Sequence, residues 1–237
     1  MEEWLQRTEM LVGKEAVERL QRAHVAIFGI GGVGGYVAEA LARSGVGCFD
    51  LIDKDVVSVT NINRQIIATT KTLGQYKTEV MRERIQEINP KAAVFVHNLF
   101  FLPETEEQFD FSGYDYVVDA VDTVTAKIRI IEKCKLQDIP VISSMGAGNK
   151  LHPEMFELAD ISKTSVCPLA KVMRRELKKH NISELTVVFS KEEPRKSSRD
   201  CNMDAASSKP TPGSIAFVPS VAGLILASEV VRQLCKV

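Results

Sequence analysis

Short apolar runs alternate with amphipathic stretches along the first 150 residues of the chain. The apolar runs are HVAIFG from residue 24, CFDLID at 48–53, AAVFVHN at 92–98, YDYVVDAVD at 114–122 and IPVISS at 139–144. Between them, the segments at about 33–43, 77–89 and 123–136 carry apolar residues at helical spacing. Continuous apolar strands that alternate with helices are typical of a mainly parallel sheet covered by helices on both faces. The sequence therefore predicts an α/β, Rossmann-like fold.

The pattern changes after about residue 150, where FELAD, PLAKVMRRELKKH and LTVVFS lead into a polar stretch at 190–212. That polar composition predicts a mobile loop. We expect one domain over 1–237, with a nucleotide-binding part at 1–150 and a substrate-binding part at 151–237.

A nearly uncharged stretch at 213–231 follows the polar loop, and it is about long enough to span a bilayer. Four residues interrupt its apolar character: Pro219, Ser220, Ser228 and Glu229. We therefore expect a buried C-terminal helix in preference to membrane contact.

Composition excludes several classes of protein. The chain is 45% hydrophobic and 26% charged, with a net charge of −1, so no overall charge attracts it to nucleic acid or membrane. The cysteines are odd in number and form no C-x-x-C pair, which argues against a disulfide framework and a four-cysteine zinc site. They are Cys48, Cys134, Cys167, Cys201 and Cys235. Since the acidic N-terminus does not resemble a secretory signal, we expect a cytoplasmic protein.

A glycine-rich turn, GIGGVGG at 29–35, connects the first predicted strand to the first predicted helix. Such a turn points backbone N–H groups at a phosphate, at the N-terminus of the helix. The candidate phosphate-binding residues are Gly29, Gly31, Gly32 and Gly34. Asp53 lies at the end of the second strand, where an acidic residue binds ribose hydroxyls, and Asp55 is the alternative. The glycines alone do not distinguish NAD or FAD from another nucleotide.

The segment VTNINRQ at 59–65 favours a nucleoside triphosphate over NAD. Arg64 can pair bidentately with charged phosphates, and Lys77 opens the next helix, where its ammonium can reach the same phosphates. Asp122 closes the strand VVDAVD at the carboxyl edge of the sheet, where ligands bind in open α/β folds. A carboxylate there can hold Mg²⁺ together with phosphates of ATP.

The ordered set GIGGVGG, LIDKD, TNINRQ, GQYK and DAVD resembles the ThiF/MoeB/ubiquitin-activating-enzyme superfamily, whose members adenylate a carboxylate with ATP. The resemblance implies that Gly31 and Lys77 contact phosphate and that Asp53 binds the ribose. It also implies nucleotide or metal contacts by Thr60, Asn61, Asn63, Arg64, Asp122 and Thr123. Arg7 stands where superfamily members carry an arginine that enters the partner subunit's ATP site, which implies a homodimer.

The second half of the chain resembles the branch of the superfamily that acts on threonylcarbamoyladenosine in tRNA. The segments that carry this resemblance are LADISKTSVCPLAKVMRRELKKHNI, TVVFSKEEPRK and GSIAFVPSVAGLILASEVV. It implies that ATP activates the threonyl carboxylate of the modified adenosine next to the anticodon. Attack from within the same group then closes a ring and expels AMP, so that water is lost. The sequence does not decide whether sulfur-transfer partner proteins cooperate with this protein or whether it binds a monovalent cation.

The charge distribution independently favours a polyanionic substrate. Residues 163–209 carry eleven Lys and Arg against six Asp and Glu, whereas the rest of the chain has a net charge of −6. One face of the helix predicted there is basic and the opposite face is apolar, which suits phosphate contact. The basic face holds Lys171, Arg174, Arg175 and Lys178, and the apolar face holds Leu169, Val172, Met173 and Leu177. Further candidate tRNA contacts in the polar loop are Arg195, Lys196 and Arg199.

Three other functions are weighed against this one. An adenylyltransferase for a ubiquitin-like sulfur carrier has the same fold, but its bacterial members usually carry paired C-x-x-C zinc motifs, which this sequence lacks. An NAD oxidoreductase does not need Asn63, Arg64 and Lys77. A non-catalytic nucleotide sensor does not need every phosphate and metal position filled.

Cysteine catalysis is a further open point. Cys201 lies in a polar loop, as does the cysteine that forms a thioester in some superfamily members, and Cys167 is a second candidate. Ring closure by a tethered group needs no enzyme nucleophile, because the reacting group is already at high effective concentration.

Overall fold

A computed structural model describes residues 2–102, 104–196 and 211–237. Its seven strands are β1 (His24–Phe28), β2 (Cys48–Ile52), β3 (Ala93–His97), β4 (Tyr116–Asp119), β5 (Val141–Ser144), β6 (Phe156–Asp160) and β7 (Thr186–Ser190). Its α-helices are α1 (Gln6–Val12), α2 (Lys14–Arg22), α3 (Gly34–Ser44), α4 (Lys77–Ile88), α5 (Val124–Leu136), α6 (Pro168–Lys179) and α7 (Phe217–Cys235). The predicted α/β, Rossmann-like class is confirmed.

The strands form one sheet in the order β3-β2-β1-β4-β5-β7-β6. All neighbouring pairs are parallel except β6 and β7, which are antiparallel. The chain builds the sheet outward from β1 to β3 and then returns to place β4 on the other side of β1. The carboxyl ends of β1 and β4 therefore flank a topological switch point, where open α/β sheets bind ligands.

Helices cover both faces of the sheet because the strand residues are apolar on both sides. In β1, Val25 and Ile27 belong to the core that α3, α4 and α7 cover, whereas Ala26 and Phe28 belong to the core that α5 and α6 cover. Aromatic residues after β3 complete the second core: Phe101, Phe109, Phe111 and Tyr114. Both faces of the sheet thus support its carboxyl edge.

The fourth strand is shorter than the predicted run at 114–122, since β4 ends at Asp119. The Asp119 carboxylate accepts a hydrogen bond from the Val121 N–H (3.3 Å), and this local turn takes the chain out of the sheet although the sequence stays apolar. As a result, Asp122 lies in the loop before α5 and not at the end of a strand, as the sequence had predicted.

Helix α7 matches the predicted C-terminal helix. By length and composition it is the one helix of the described residues that could cross a membrane. Its apolar side is part of the main core, with Val218, Leu226 and Val230 fully buried. Gly223 faces the carbonyl of Val33, so that α7 approaches the start of α3 closely. Most of the predicted mobile loop, residues 197–210, lies outside the described residues, and so do Arg199 and Cys201.

A buried carboxylate joins three adjacent strands at one side of the sheet. Asp50 of β2 is 5% exposed. One of its oxygens lies 2.5 Å from His24 Nε2 of β1, and the other is hydrogen-bonded to His97 Nε2 of β3. Burial alone would raise the pKa of Asp50, but the two histidine hydrogen bonds outweigh burial and lower that pKa to about 2.

We predict that this carboxylate makes the free energy of unfolding fall between about pH 4 and pH 2, by about 2 kcal/mol. The pKa of Asp50 is lower in the folded protein than in the unfolded chain, so its stabilisation is complete above the unfolded value and is lost as pH falls. Urea unfolding of the wild-type protein and Asp50→Asn across this range measures the effect. The variant should lose less stability on acidification, and equal losses would contradict the prediction.

Candidate functional site

The glycine turn packs directly against the loop between β4 and α5. Gly29 has a φ of +90°, and a Cβ there would lie 2.8 Å from the Ala120 carbonyl oxygen. A Cβ on Gly34 would overlap the carbonyl of Gly29, so the first turn of α3 fits against the end of β1 only with glycine at 34. These two glycines therefore shape the turn.

Gly31 and Gly32 border the space in front of this turn. A Cβ on Gly31 would meet only Gln65 Nε2, at 3.9 Å, and its φ does not fall in the left-handed region. A Cβ on Gly32 would lie between Pro219 of α7 and Arg64. Gly31 thus leaves room for a ligand beside the N-terminus of α3, where backbone N–H groups attract anions.

Asp53 follows β2 and is tied to the same turn. One carboxylate oxygen accepts the Ile30 N–H at 2.8 Å, and the other accepts the Asp55 N–H at 2.9 Å. Burial raises the pKa of Asp53, which the Lys77 ammonium partly offsets. The structure therefore places the predicted ribose-binding carboxylate next to the glycine turn.

Lys77 is the first residue of α4, as predicted, and its side chain is 7% exposed. Its ammonium lies 2.8 Å from Asp55 Oδ2 and 3.9 Å from Asp53 Oδ2. A buried ammonium without a partner is costly, so the two carboxylates hold this charge in place. Asp55, the alternative ribose ligand in the sequence, is the direct ion-pair partner of Lys77.

The segment that follows β2 brings Arg64 beside the turn. Arg64 Nη1 donates hydrogen bonds to the Thr60 carbonyl (2.8 Å) and to Asn63 Oδ1 (3.0 Å), and burial lowers the pKa of Arg64. The Asn61 side chain instead accepts the Ser58 N–H at 3.1 Å, so it stabilises the segment locally. This hydrogen bond already uses the Asn61 Oδ1 atom, so it competes with the predicted nucleotide contact by that side chain.

Gln65 lies beside Gly31, a position that the sequence does not predict, although this residue follows Arg64 directly. It is 6% exposed, and its Oε1 has no hydrogen-bond partner among the described residues. Only the neighbouring Asn-Arg motif signals its position, because its burial beside Gly31 depends on the tertiary fold.

Asp122 and Thr123 lie in the loop between β4 and α5. Asp122 is exposed and has no ion-pair partner within the described ranges, and Thr123 is the N-cap residue of α5. In the part of the chain that the structure describes, no group of three His, Cys, Asp or Glu residues could hold a metal. Mg²⁺ needs fewer protein ligands, since it binds through one or two carboxylates plus substrate phosphates. An exposed carboxylate at this edge fits that requirement.

A fully buried ion pair, which the sequence does not predict, lies beneath this loop. Lys127 Nζ lies 3.0 Å from Asp119 Oδ2 and donates to the Ser144 carbonyl at 2.7 Å. Ser143 completes the cluster by donating to Asp119 Oδ2 at 2.6 Å. The pair links the ends of β4 and β5 to α5. Its signal in the sequence is weak, because Asp119 is the one charged residue of β4 but α5 carries four charged residues besides Lys127.

The predicted basic face of α6 is mostly accessible. Lys171, Arg175 and Lys178 are exposed, but Arg174 is half-buried and donates to the Thr164 carbonyl at 2.9 Å and to its hydroxyl. The predicted tRNA contact by Arg174 is therefore weakened, because its guanidinium already ties the start of α6 to the preceding turn. The apolar face is buried at Met173 and Leu177 and half-buried at Leu169 and Val172. Arg195 and Lys196 are exposed in the chain after β7.

The structure describes one of the two cysteines that are candidates for catalysis. Cys167 precedes α6, is 2% exposed and belongs to the apolar core, which does not favour a nucleophile there. Cys201 lies outside the described residues. Arg7 is exposed on α1, which packs on α2, and within the described chain it has no ion pair.

We predict opposite effects for two alanine substitutions in the glycine turn. Gly31→Ala should leave the melting temperature close to wild type but weaken ATP binding, because its methyl group enters the space for phosphate. Gly34→Ala should destabilise the protein by about 1–3 kcal/mol or more, because its methyl group meets the Gly29 carbonyl. Thermal unfolding and calorimetric ATP titration measure both effects. Wild-type ATP affinity in folded Gly31→Ala would remove Gly31 from the site.

Comparison with known proteins agrees with this geometry. A model of the ThiF family matches residues 5–237. The chain is 48% identical to the tRNA threonylcarbamoyladenosine dehydratase of Bacillus subtilis, over 97% of this chain and 94% of that protein. The crystal structure of Escherichia coli tRNA N6-threonylcarbamoyladenosine dehydratase, TcdA, in complex with AMP superposes with a TM-score of 0.89 at 35% identity. The superposition covers 100% of this chain and 96% of the E. coli chain.

The same E. coli protein in complex with ATP gives a TM-score of 0.88 at 35% identity, again over 100% of this chain and 96% of that chain. Similarity at this level extends over the whole chain, including the basic second half. The chain therefore belongs to the ThiF family.

Proposed function

We propose that this protein is an ATP-dependent enzyme that dehydrates threonylcarbamoyladenosine in tRNA by adenylating its carboxylate. The observation that carries the proposal is the grouping of Gly31, Asp53 and Lys77 at the switch point of the sheet. The full-length similarity to tRNA threonylcarbamoyladenosine dehydratases supports the choice of substrate.

Residues that follow β1 and β2 hold the nucleotide. Asp53 binds the ribose hydroxyls, the turn at Gly31 faces the phosphates, and Lys77 and Arg64 neutralise the charge that develops on pyrophosphate. Lys77 approaches the phosphates from its ion pair with Asp55, so ATP must compete with that carboxylate. An ammonium already held at the site needs little reorganisation when the phosphates arrive.

We propose that Asp122, beside Thr123, holds Mg²⁺ together with the ATP phosphates. The ion neutralises phosphate charge when bound. The ion pair of Lys127 with Asp119 positions this loop from the protein interior.

The reaction then has two balanced steps. A carboxylate oxygen attacks the α-phosphorus of ATP, the bond to the bridging oxygen breaks, and pyrophosphate leaves. A nucleophile within the same threonylcarbamoyl group next attacks the acyl carbon and loses its proton, and AMP leaves with the former carboxylate oxygen. The tethered nucleophile reacts at high effective concentration, so no cysteine is required.

We propose that the exposed cations of the second half contact tRNA phosphates. Lys171, Arg175 and Lys178 project from α6, and Arg195 and Lys196 follow β7. Phosphate contacts of this kind supply affinity without sequence information, so the modified base supplies specificity. Arg174 instead stabilises the protein through its hydrogen bonds to Thr164.

We also propose a cytoplasmic homodimer with composite active sites. Arg7 is exposed on α1, and two neighbouring apolar side chains, Met10 and Leu11, are more than 80% exposed. Covering these side chains with a second subunit would bury apolar surface and bring Arg7 to the partner's nucleotide. Sulfur-transfer partner proteins stay a prediction from the superfamily resemblance.

The proposal predicts a loss of mass in one tRNA nucleoside. Purified protein with ATP, Mg²⁺ and bulk tRNA should convert threonylcarbamoyladenosine to a product lighter by one water, with release of AMP and pyrophosphate. Lys77→Ala should fold but lower the rate by about 100-fold or more, because the charge on pyrophosphate is no longer neutralised. Nucleoside mass spectrometry and AMP quantification measure both.

The exposed Lys14→Ala on α2 serves as the matched control and should retain wild-type activity. If tRNA nucleosides keep their mass while a ubiquitin-like sulfur carrier is adenylated efficiently, the sulfur-carrier function replaces the proposed one.

Charge reversal on α6 should weaken tRNA binding and leave ATP binding intact. Arg175→Glu combined with Lys178→Glu removes two cations and adds two anions, so tRNA affinity should fall by about tenfold or more and depend less steeply on salt. Filter binding at several salt concentrations measures this effect. Lys14→Glu combined with Lys91→Glu makes the same change in net charge at two exposed positions outside α6, and an equal loss in that variant would contradict a specific surface on α6.

A further inference from the structure

A short segment at 211–216, which we name the return segment, leads into α7 and passes the carboxyl edge of the sheet. The Gly213 N–H donates to Asn149 Oδ1 at 2.7 Å, and the Asn149 N–H donates to the Gly213 carbonyl at 2.8 Å. Gly148 lies under Pro212, where a Cβ would come within 2.8 Å of the proline ring. The loop after β5 therefore holds the return segment in one position.

The return segment also contacts the nucleotide-binding residues. Asn63 Nδ2 donates to the Ser214 carbonyl at 2.9 Å, while Asn63 Oδ1 accepts from Arg64 Nη1 at 3.0 Å. One asparagine side chain thus joins the guanidinium proposed to bind phosphate to the residue next to Gly213. A phosphate that draws Arg64 forward acts on this chain of hydrogen bonds.

Asn149 joins the same segment to the proposed tRNA-contacting residues. Its carbonyl accepts the Arg195 N–H at 2.8 Å, which fixes the backbone where Arg195 and Lys196 leave the body of the protein. Its φ of +59° lies in the left-handed region, which asparagine tolerates better than most residues. Asn149 therefore uses its N–H, its carbonyl and its side chain in three separate hydrogen bonds.

We infer that Asn149 is a positioning residue that couples ATP binding to tRNA binding. The inference rests on the proposed function, since it assigns ATP to the Arg64 side and tRNA to the Arg195 side. Bound ATP orients Arg64 and Asn63, which steadies the return segment. Through Asn149 this orders the backbone of Arg195, so that less freedom is lost when tRNA phosphates bind. Because coupling is reciprocal, tRNA must strengthen ATP binding by the same factor.

The test measures this factor in both directions. The affinity for bulk tRNA is determined with and without an ATP analogue that has a non-cleavable bridge between the α- and β-phosphates. The affinity for the analogue is then determined with and without tRNA. In the wild-type protein, each ligand should tighten the other by about fivefold or more.

Asn149→Gly removes the side-chain acceptor but keeps a residue that adopts the left-handed backbone, so the loop conformation is preserved. Its coupling factor should fall below about twofold, because one hydrogen bond of the chain is lost, while the affinity for the analogue alone stays unchanged. Asn149→Asp restores an acceptor for the Gly213 N–H and should recover most of the coupling. Asn181→Gly is the matched control, since Asn181 also has a positive φ, of 58°, and is exposed after α6.

The outcomes separate the inference from the proposed function. Full wild-type coupling in Asn149→Gly, or its loss to the same extent in Asn181→Gly, would overturn the role of Asn149. A wild-type protein that binds both ligands without coupling would overturn the inference and leave the dehydratase function standing. If the wild-type protein fails to bind the analogue, or fails to bind tRNA, both the inference and the proposed function are overturned.

Discussion

The close contact between the glycine turn and the ends of β1 and β4 is the constraint on which the rest of the site depends. Gly34 lets α3 begin against the Gly29 carbonyl, and Gly29 in turn lies against Ala120. Because no side chain separates these backbones, the helix N-terminus, the Asp53 carboxylate and the loop of Asp122 meet at one switch point. Asp53 reinforces the arrangement by accepting the Ile30 N–H of the turn.

Buried charge gives this scaffold its chemistry. Lys77 is held by two carboxylates at the edge of the sheet, and Lys127 is held by Asp119 beneath it. The two pairs differ in accessibility, since Asp55 is about half exposed whereas Asp119 is fully buried. An incoming triphosphate can therefore replace Asp55 as the partner of Lys77, while the inner pair stays intact and keeps the loop of Asp122 in place. The Lys77 pair is thus accessible to a ligand, whereas the Lys127 pair supports the fold.

The sequence predicts the architecture well because local pattern determines it. Apolar runs buried on both faces specify parallel strands, and the glycine turn, Asp53 and Lys77 fall where strand and helix ends place them. Contacts between distant residues were not predictable, including the ion pair of Lys77 with Asp55 and the hydrogen bonds from Arg174 to Thr164. The predicted extent of β4 was wrong, because a turn formed by the Asp119 side chain ends the strand within an apolar run. Asn149 carries no motif, and its role depends on a segment more than sixty residues later in the chain.

The central claim is that this site adenylates a carboxylate of the tRNA nucleoside, and the fate of the carboxylate oxygen tests it most directly. Threonylcarbamoyladenosine in tRNA is labelled in its carboxylate with a heavy oxygen isotope and incubated with the protein, ATP and Mg²⁺. Mass spectrometry of the products then locates the label. The account predicts one labelled oxygen in AMP for each cyclic nucleoside formed, with unlabelled pyrophosphate. Unlabelled AMP, or label in inorganic phosphate, would contradict adenylation and indicate another route of activation.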